Sequence, residues 1–153
     1  MTESMAAIPN DLVLLARHVV RDSRYPVEAY LFVREGLSFA ADHFRLAEVH
    51  DDHASDHERK SVRARRHLTG QQLCEGLRLY AIAQYGMMCK TVLHSWGIHS
   101  TRDFGEIVYA MIRMRILKKS SRDRKSHFDN IYDFDTAFSN VDDIFCSPCL
   151  RCV

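Results

Sequence analysis

The sequence predicts a mainly α-helical fold that closes with a short β-hairpin. Three observations predict it. Apolar residues recur at helical spacing through five segments. Capping residues stand at the edges of several of those segments. Extended character comes only after residue 115, where a basic, turn-rich run separates two such stretches.

Taken in order, Asn10 is placed as a cap with Asp11 in the first turn, and Leu12, Leu15, Ala16 and Val19 follow at i, i+3, i+4 and i+7. Pro26 suits the first position of a second helix, where its missing N–H breaks no bond. That helix runs to about Phe44, with Tyr30, Val33, Leu37, Ala41 and Phe44 on one stripe. Leu31, Phe32 and Phe39 lie off the stripe, so the helix is apolar nearly all round and reads as the central core helix. Gly36 within it costs about 1 kcal/mol relative to alanine and counts against the assignment.

Residues 47–66 lack apolar periodicity and read as an exposed, charged linker. Thr69 and Gln72 then form a capping box for a helix that turns Leu73, Leu77, Tyr80 and Ala81 inward and ends near Gly86. A short helix from Met87 to Trp96 presents Met88, Val92 and Trp96 on one side, and Gly97 stands where a left-handed cap is needed. Ser100 or Thr101 caps the next helix, whose apolar face is Phe104, Ile107, Val108, Met111 and Ile112. Ile116–Lys119 and His127–Phe134 read as two strands joined by the polar turn Ser120–Ser126.

The order helix, short helix, four-residue turn, helix and hairpin over 67–138 is the connectivity of a winged helix-turn-helix. The expected architecture is therefore a winged-helix-like second half packed on two N-terminal helices within 10–46. Residues 1–138 then form one globular domain, and 139–153 form a flexible tail containing cysteines.

Composition bounds the function. Of 153 residues, 46% are apolar and 27% charged, ordinary values for a folded protein. The net charge of +1 excludes a chain whose whole surface clings to polyanions. No stretch approaches the ~20 apolar residues of a membrane span, and the N-terminal MTESMAAIPND carries an acid where a signal peptide has its positive region. With five cysteines and no export signal, the sequence predicts a cytoplasmic protein without a disulfide framework. The near-zero charge conceals blocks. Residues 48–58 hold five acids and no Lys or Arg, 59–66 hold five bases and no acid, and 113–125 hold seven bases against Asp123.

Those blocks suggest a macromolecular contact, with protein or nucleic acid as the unknown partner and no membrane or small-molecule substrate indicated. A wing would offer Lys118, Lys119, Arg122, Arg124 and Lys125 to phosphates. The helix leading into it would turn outward Arg102, Asp103, Gly105, Glu106, Tyr109, Ala110 and Arg113, whose charges cancel. Asp103 and Glu106 sit at the end that normally meets bases, where they repel phosphate; they suit the helix dipole instead. A protein-contact role is thus preferred over DNA reading.

Two clusters have metal-like spacing. His50, His53 and His57 are interleaved with Asp51, Asp52 and Asp56, but no apolar anchor preorganises them, and a solvated linker is the plainer reading. Cys146, Cys149 and Cys152 resemble part of an iron–sulfur or zinc ligand run, and a fourth ligand has to come from elsewhere. A metal- or redox-responsive protein using these cysteines is the alternative function; otherwise no cofactor is expected. Cys74 and Cys89 fall within helices and read as small buried hydrophobes. No phosphate-binding glycine loop or nucleophile elbow occurs, and Asp103-Phe104-Gly105 begins a helix, unlike the kinase triplet it matches. His94 and His99 flank Trp96 and are the sole acid–base candidates, so no enzyme is expected.

Arg24-Tyr25 with Ala29-Tyr30 and Phe32-Val33, TGQQLCEGLRLYA (69–81), WGIHSTRDFGEIVYAMI (96–112) and YDFDTAF (132–138) resemble the signature blocks of a small bacterial family known by a locus tag and not by an activity. The likeness covers about two-thirds of the chain. It implies a compact cytoplasmic bacterial protein and brings no catalytic or binding residue. That family's pattern has a glycine near Arg115 that would end the helix before the wing, the linker 48–66 is longer here, and the cysteine tail is outside the pattern.

Overall fold

Aliphatic residues at helical spacing fold the start of the chain into α1 (Asn10–Arg21), which inserts Leu15 fully into the core and leaves Val13, Leu14 and Val20 exposed. The computed structural model describes residues 10–21, 24–49, 68–118 and 123–139. Next comes α2 (Val27–Val49), with Pro26 immediately before it. It runs past the expected end at Phe44 into the start of the expected linker, and it is the core helix: Ala29, Tyr30, Phe32, Val33 and Ala40 are all buried.

The helix α3 (Gly70–Tyr85) lies against α2. Its capping box forms as the sequence predicts, with the Gln72 N–H donating to Thr69 Oγ1 at 3.2 Å and the Thr69 N–H donating to Gln72 Oε1 at 3.0 Å. The two helices touch through glycine. A Cβ on Gly36 would lie 2.5 Å from Leu77 Cδ2, and one on Gly76 would lie 2.2 Å from Ala40 Cβ and 3.0 Å from Ala40 Cα. Gly36, which local propensity counts against a helix, is therefore what tertiary packing requires.

A single 3-10 turn (Gly86–Met88) leads into α4 (Cys89–Ser95). Here the expected buried face is wrong by one residue: Cys89 and Leu93 are buried, and Met88 is exposed. Gly86, at φ +53°, interrupts the helix and the tighter turn resets its phase. Phe32 of α2 joins the elements, its ring centroid 5.6 Å from Trp96, 5.3 Å from Tyr80 and 6.5 Å from Phe104, while Tyr85 packs edge-on against Trp96 at 5.9 Å.

The amphipathic α5 (Thr101–Arg113) buries Phe104, Ile107, Val108 and Met111 as its spacing predicts. α4 and α5 end in the same way. Ile98 N–H donates to the Leu93 carbonyl around Gly97 at φ +78°, and Ile116 N–H donates to the Met111 carbonyl around Arg115 at φ +60°. An arginine occupies a left-handed position that glycine adopts without steric cost. Arg115→Gly is accordingly expected to stabilise the fold by about 0.5–1 kcal/mol, the relief of the side-chain clash less the extra freedom of glycine in the unfolded chain. A higher urea midpoint at unchanged slope would register it, and a lower midpoint would contradict it.

The predicted hairpin is corrected. Among the described residues there is no strand: residues 116–117 form a bend, Lys125–Phe128 is a 3-10 turn, and Phe134–Ala137 is a short helix, α6. Three features oppose a second strand. The carbonyl of Phe128 is taken by the Thr101 hydroxyl at 2.6 Å, Asn130 has φ +50°, and Asp133 Oδ2 accepts from Thr136 N–H at 3.2 Å to cap α6. The apparent alternation in YDFDTAF is a helix cap followed by Phe134 and Phe138 at i, i+4, both buried. No helix of the described residues is long and apolar enough to cross a membrane.

Candidate functional site

The 3-10 turn at 125–128 settles onto α5 over the face that the sequence reading left outward. Phe128 lies over Gly105, where a Cβ would approach Phe128 Cβ to 2.8 Å, and over Gly70 a Cβ would come within 2.9 Å of His127 Cβ. Gly105 and Ala110 are buried, contrary to expectation, and at Gly105 the chain itself supplies the cover through Phe128. Thr101, 1% exposed, fixes that cover, donating to the Phe128 carbonyl and accepting from Ile131 N–H at 3.3 Å.

The two acids of α5 are engaged internally. Asp103 Oδ1 accepts from the Tyr25 hydroxyl at 2.7 Å, and Oδ2 accepts from the N–H groups of His99 and Ser100, each at 3.0 Å. Burial pushes the Asp103 carboxyl up, but the hydrogen bonds from Tyr25, His99 and Ser100 outweigh it and hold the pKa below the ordinary 3.8. The same burial and the facing carboxylate raise the Tyr25 phenol. Because the native carboxyl is the stronger acid, the unfolded chain takes up its proton first as pH falls. The stability Asp103 confers is thus complete above the unfolded value and disappears as pH drops through the lowered native one. In Asp103→Asn the acid limb of a denaturation-versus-pH curve is expected to be shallower than in the wild type; equal slopes would contradict this.

Glu106 pairs with Lys125 at 2.6 Å, which ties the 3-10 turn to α5. With Lys125 almost half exposed, such a pair is worth about 0–1 kcal/mol. Arg102 and Arg113 are exposed at the two ends of α5, and Lys118 and Arg124 are exposed beyond it. Arg102, Asp103 and Glu106 share a polar cleft with Arg24. Lys119, Arg122, the histidines His50, His53 and His57, and the cysteines Cys146, Cys149 and Cys152 lie outside the described residues.

Tyr109, Lys118 and Arg124 come together at a second place. They border an open groove of about 360 Å³ between α2, the start of α3, α5 and residues 117–118 and 123–128. Its floor is apolar, built from Leu37, Leu73, Val108 and Ile112, and Arg34 of α2 joins the border. Burial, and then the Asp123 carboxylate, raise the Tyr109 phenol. Nothing in the sequence marks Arg34 and Leu37 as site residues. They belong to the predicted core helix, and nothing in local spacing says which partner helix leaves a gap beside them.

Cys74 and Cys89 are buried free thiols as expected, the first pushed up to about 12 by burial. His94 stacks on Phe134 and against His99, with ring centroids 6.3 and 4.6 Å apart, and burial lowers its pKa ahead of the neighbouring His99 and Lys90 charges. Among the described residues no three His, Cys, Asp or Glu side chains cluster to hold a metal ion. No protein-family profile, curated protein or solved structure matches the chain.

Proposed function

We propose that the chain is a non-enzymatic regulatory or assembly module that contacts an acidic protein surface through Arg102, Arg113, Lys118 and Arg124. One observation carries this reading. Asp103 is consumed as a cap and Glu106 by Lys125, so the exposed charge around α5 is basic, although the helix's formal charges cancel. In this reading α3, α4 and α5 form a winged-helix-like unit in which a 3-10 turn takes the place of the second strand. That turn covers the middle of α5, which supports contact by its ends over insertion of the helix into a nucleic-acid groove.

The test is capture of a partner at physiological salt by the wild type and by Arg113→Glu/Arg124→Glu, two exposed positions whose reversal leaves the core untouched. The double variant is expected to keep its melting temperature and lose the partner. Hydrogen-exchange protection on complex formation should fall within 102–124. Retention of the partner by the variant would overturn the reading, as would equally tight binding of duplex or single-stranded nucleic acid with a steep salt dependence.

A further inference from the structure

The groove between α2 and α5 has the size of a ligand site, about 360 Å³ against roughly 300–1,000 Å³ for small-molecule pockets. Its composition is divided by position. Leu37 from α2, Leu73 from α3 and Val108 and Ile112 from α5 form a continuous apolar floor supplied by three helices that the tight α2–α3 crossing holds in place. Two exposed positive charges, Lys118 and Arg124, border it, and Arg34 and the Asp123 carboxylate also line it. Tyr109 and Ser38 add hydroxyl groups. An apolar body with a single anionic head matches both parts; a cation would be repelled by Lys118 and Arg124, and a neutral hydrocarbon would gain nothing from them.

We propose that this groove binds a medium-chain fatty carboxylate as a free monomer, its alkyl chain on Leu37, Leu73 and Ile112 and its carboxylate at Lys118 and Arg124. A lipid headgroup presents comparable anionic chemistry, but the apolar floor is used only if the chain enters the groove, so the free acid is the ligand. No bond is made or broken. This inference rests on the cavity and not on the protein-contact reading, although Lys118 and Arg124 serve both. The first fails if ligand does not bind, and the second fails if a partner survives charge reversal.

The test is calorimetric titration of the full chain with decanoate below its critical micelle concentration. Octanoate, decanol and decyltrimethylammonium are the comparisons, with sedimentation against anionic phosphatidylglycerol vesicles as a separate arm. Each buried methylene strengthens binding about fourfold, so decanoate is expected to bind about fifteen-fold more tightly than octanoate. The cationic analogue should bind at least tenfold more weakly than decanoate. Ala41→Trp, at an exposed position on the groove wall, should abolish binding, and Arg124→Glu should weaken it at least tenfold. The second variant keeps the test decisive if the first disturbs α2. Equal affinity for the cation, no dependence on chain length, unchanged binding in Arg124→Glu, or pelleting with vesicles while decanoate does not bind would each overturn the proposal.

Discussion

Gly76→Ala is expected to destabilise the protein by about 2–3 kcal/mol, the reverse of what helix propensity predicts. In an exposed helix interior this exchange gains about 1 kcal/mol. At Gly76 the added carbon would stand 2.2 Å from Ala40 Cβ and 3.0 Å from Ala40 Cα. The first contact is with a methyl that has no rotamer to adopt, and the second is with backbone. The helices must separate, which loosens the apolar contacts they share. Chemical denaturation of the single variant measures the loss, and Gly76→Ala combined with Ala40→Gly should recover most of it by returning space from the other side. A double variant no better than the single would show that the strain lies elsewhere.

Thr101→Val should cost about 2 kcal/mol while leaving α5 itself intact. Valine keeps the shape and removes the hydroxyl, so the Phe128 carbonyl at 2.6 Å and the Ile131 N–H at 3.3 Å both lose their partner. Each such orphaned group costs about 1–3 kcal/mol when it stays buried, and the partial exposure near Ile131 lets water recover some of that. Thr101→Ser retains the oxygen and is expected to lose much less. Faster amide exchange at Ile131 would mark the site of the damage, and a Thr101→Val stability within 0.5 kcal/mol of wild type would refute the role assigned to the hydroxyl.

These two positions also show where the sequence is legible. The capping box at Thr69 and Gln72, the apolar face of α5 and the left-handed turn at Gly97 are set by neighbours within a few residues, and each is present as read. Gly36 and Gly76 carry the opposite lesson, since only the closeness of a second helix gives their missing side chains a meaning. The strand expected over 127–134 was lost to contacts of both kinds. The Asp133 cap is local, while the Thr101 hydroxyl reaches Phe128 from far along the chain. For the site, basic residues at 118 and 124 were visible as charge. The groove they border was not, because its floor is assembled from three helices. The phase of α4 departs from uniform helical spacing because the 3-10 turn before it advances side chains by a different angle per residue than an α-helix does.

Trp96, the sole tryptophan of the chain, is wedged beside Phe32 and Tyr85. That placement turns the corner of α2, α3 and α4 into an intrinsic optical reporter. The emission of the indole depends on the Phe32 and Tyr85 rings packed on it, so a change in its intensity or wavelength reports the opening of this corner. Followed beside exchange at Ile131, it divides cooperative melting from stepwise opening: coincident transitions mean one folding unit, and separated ones mean that the turn over α5 lets go first.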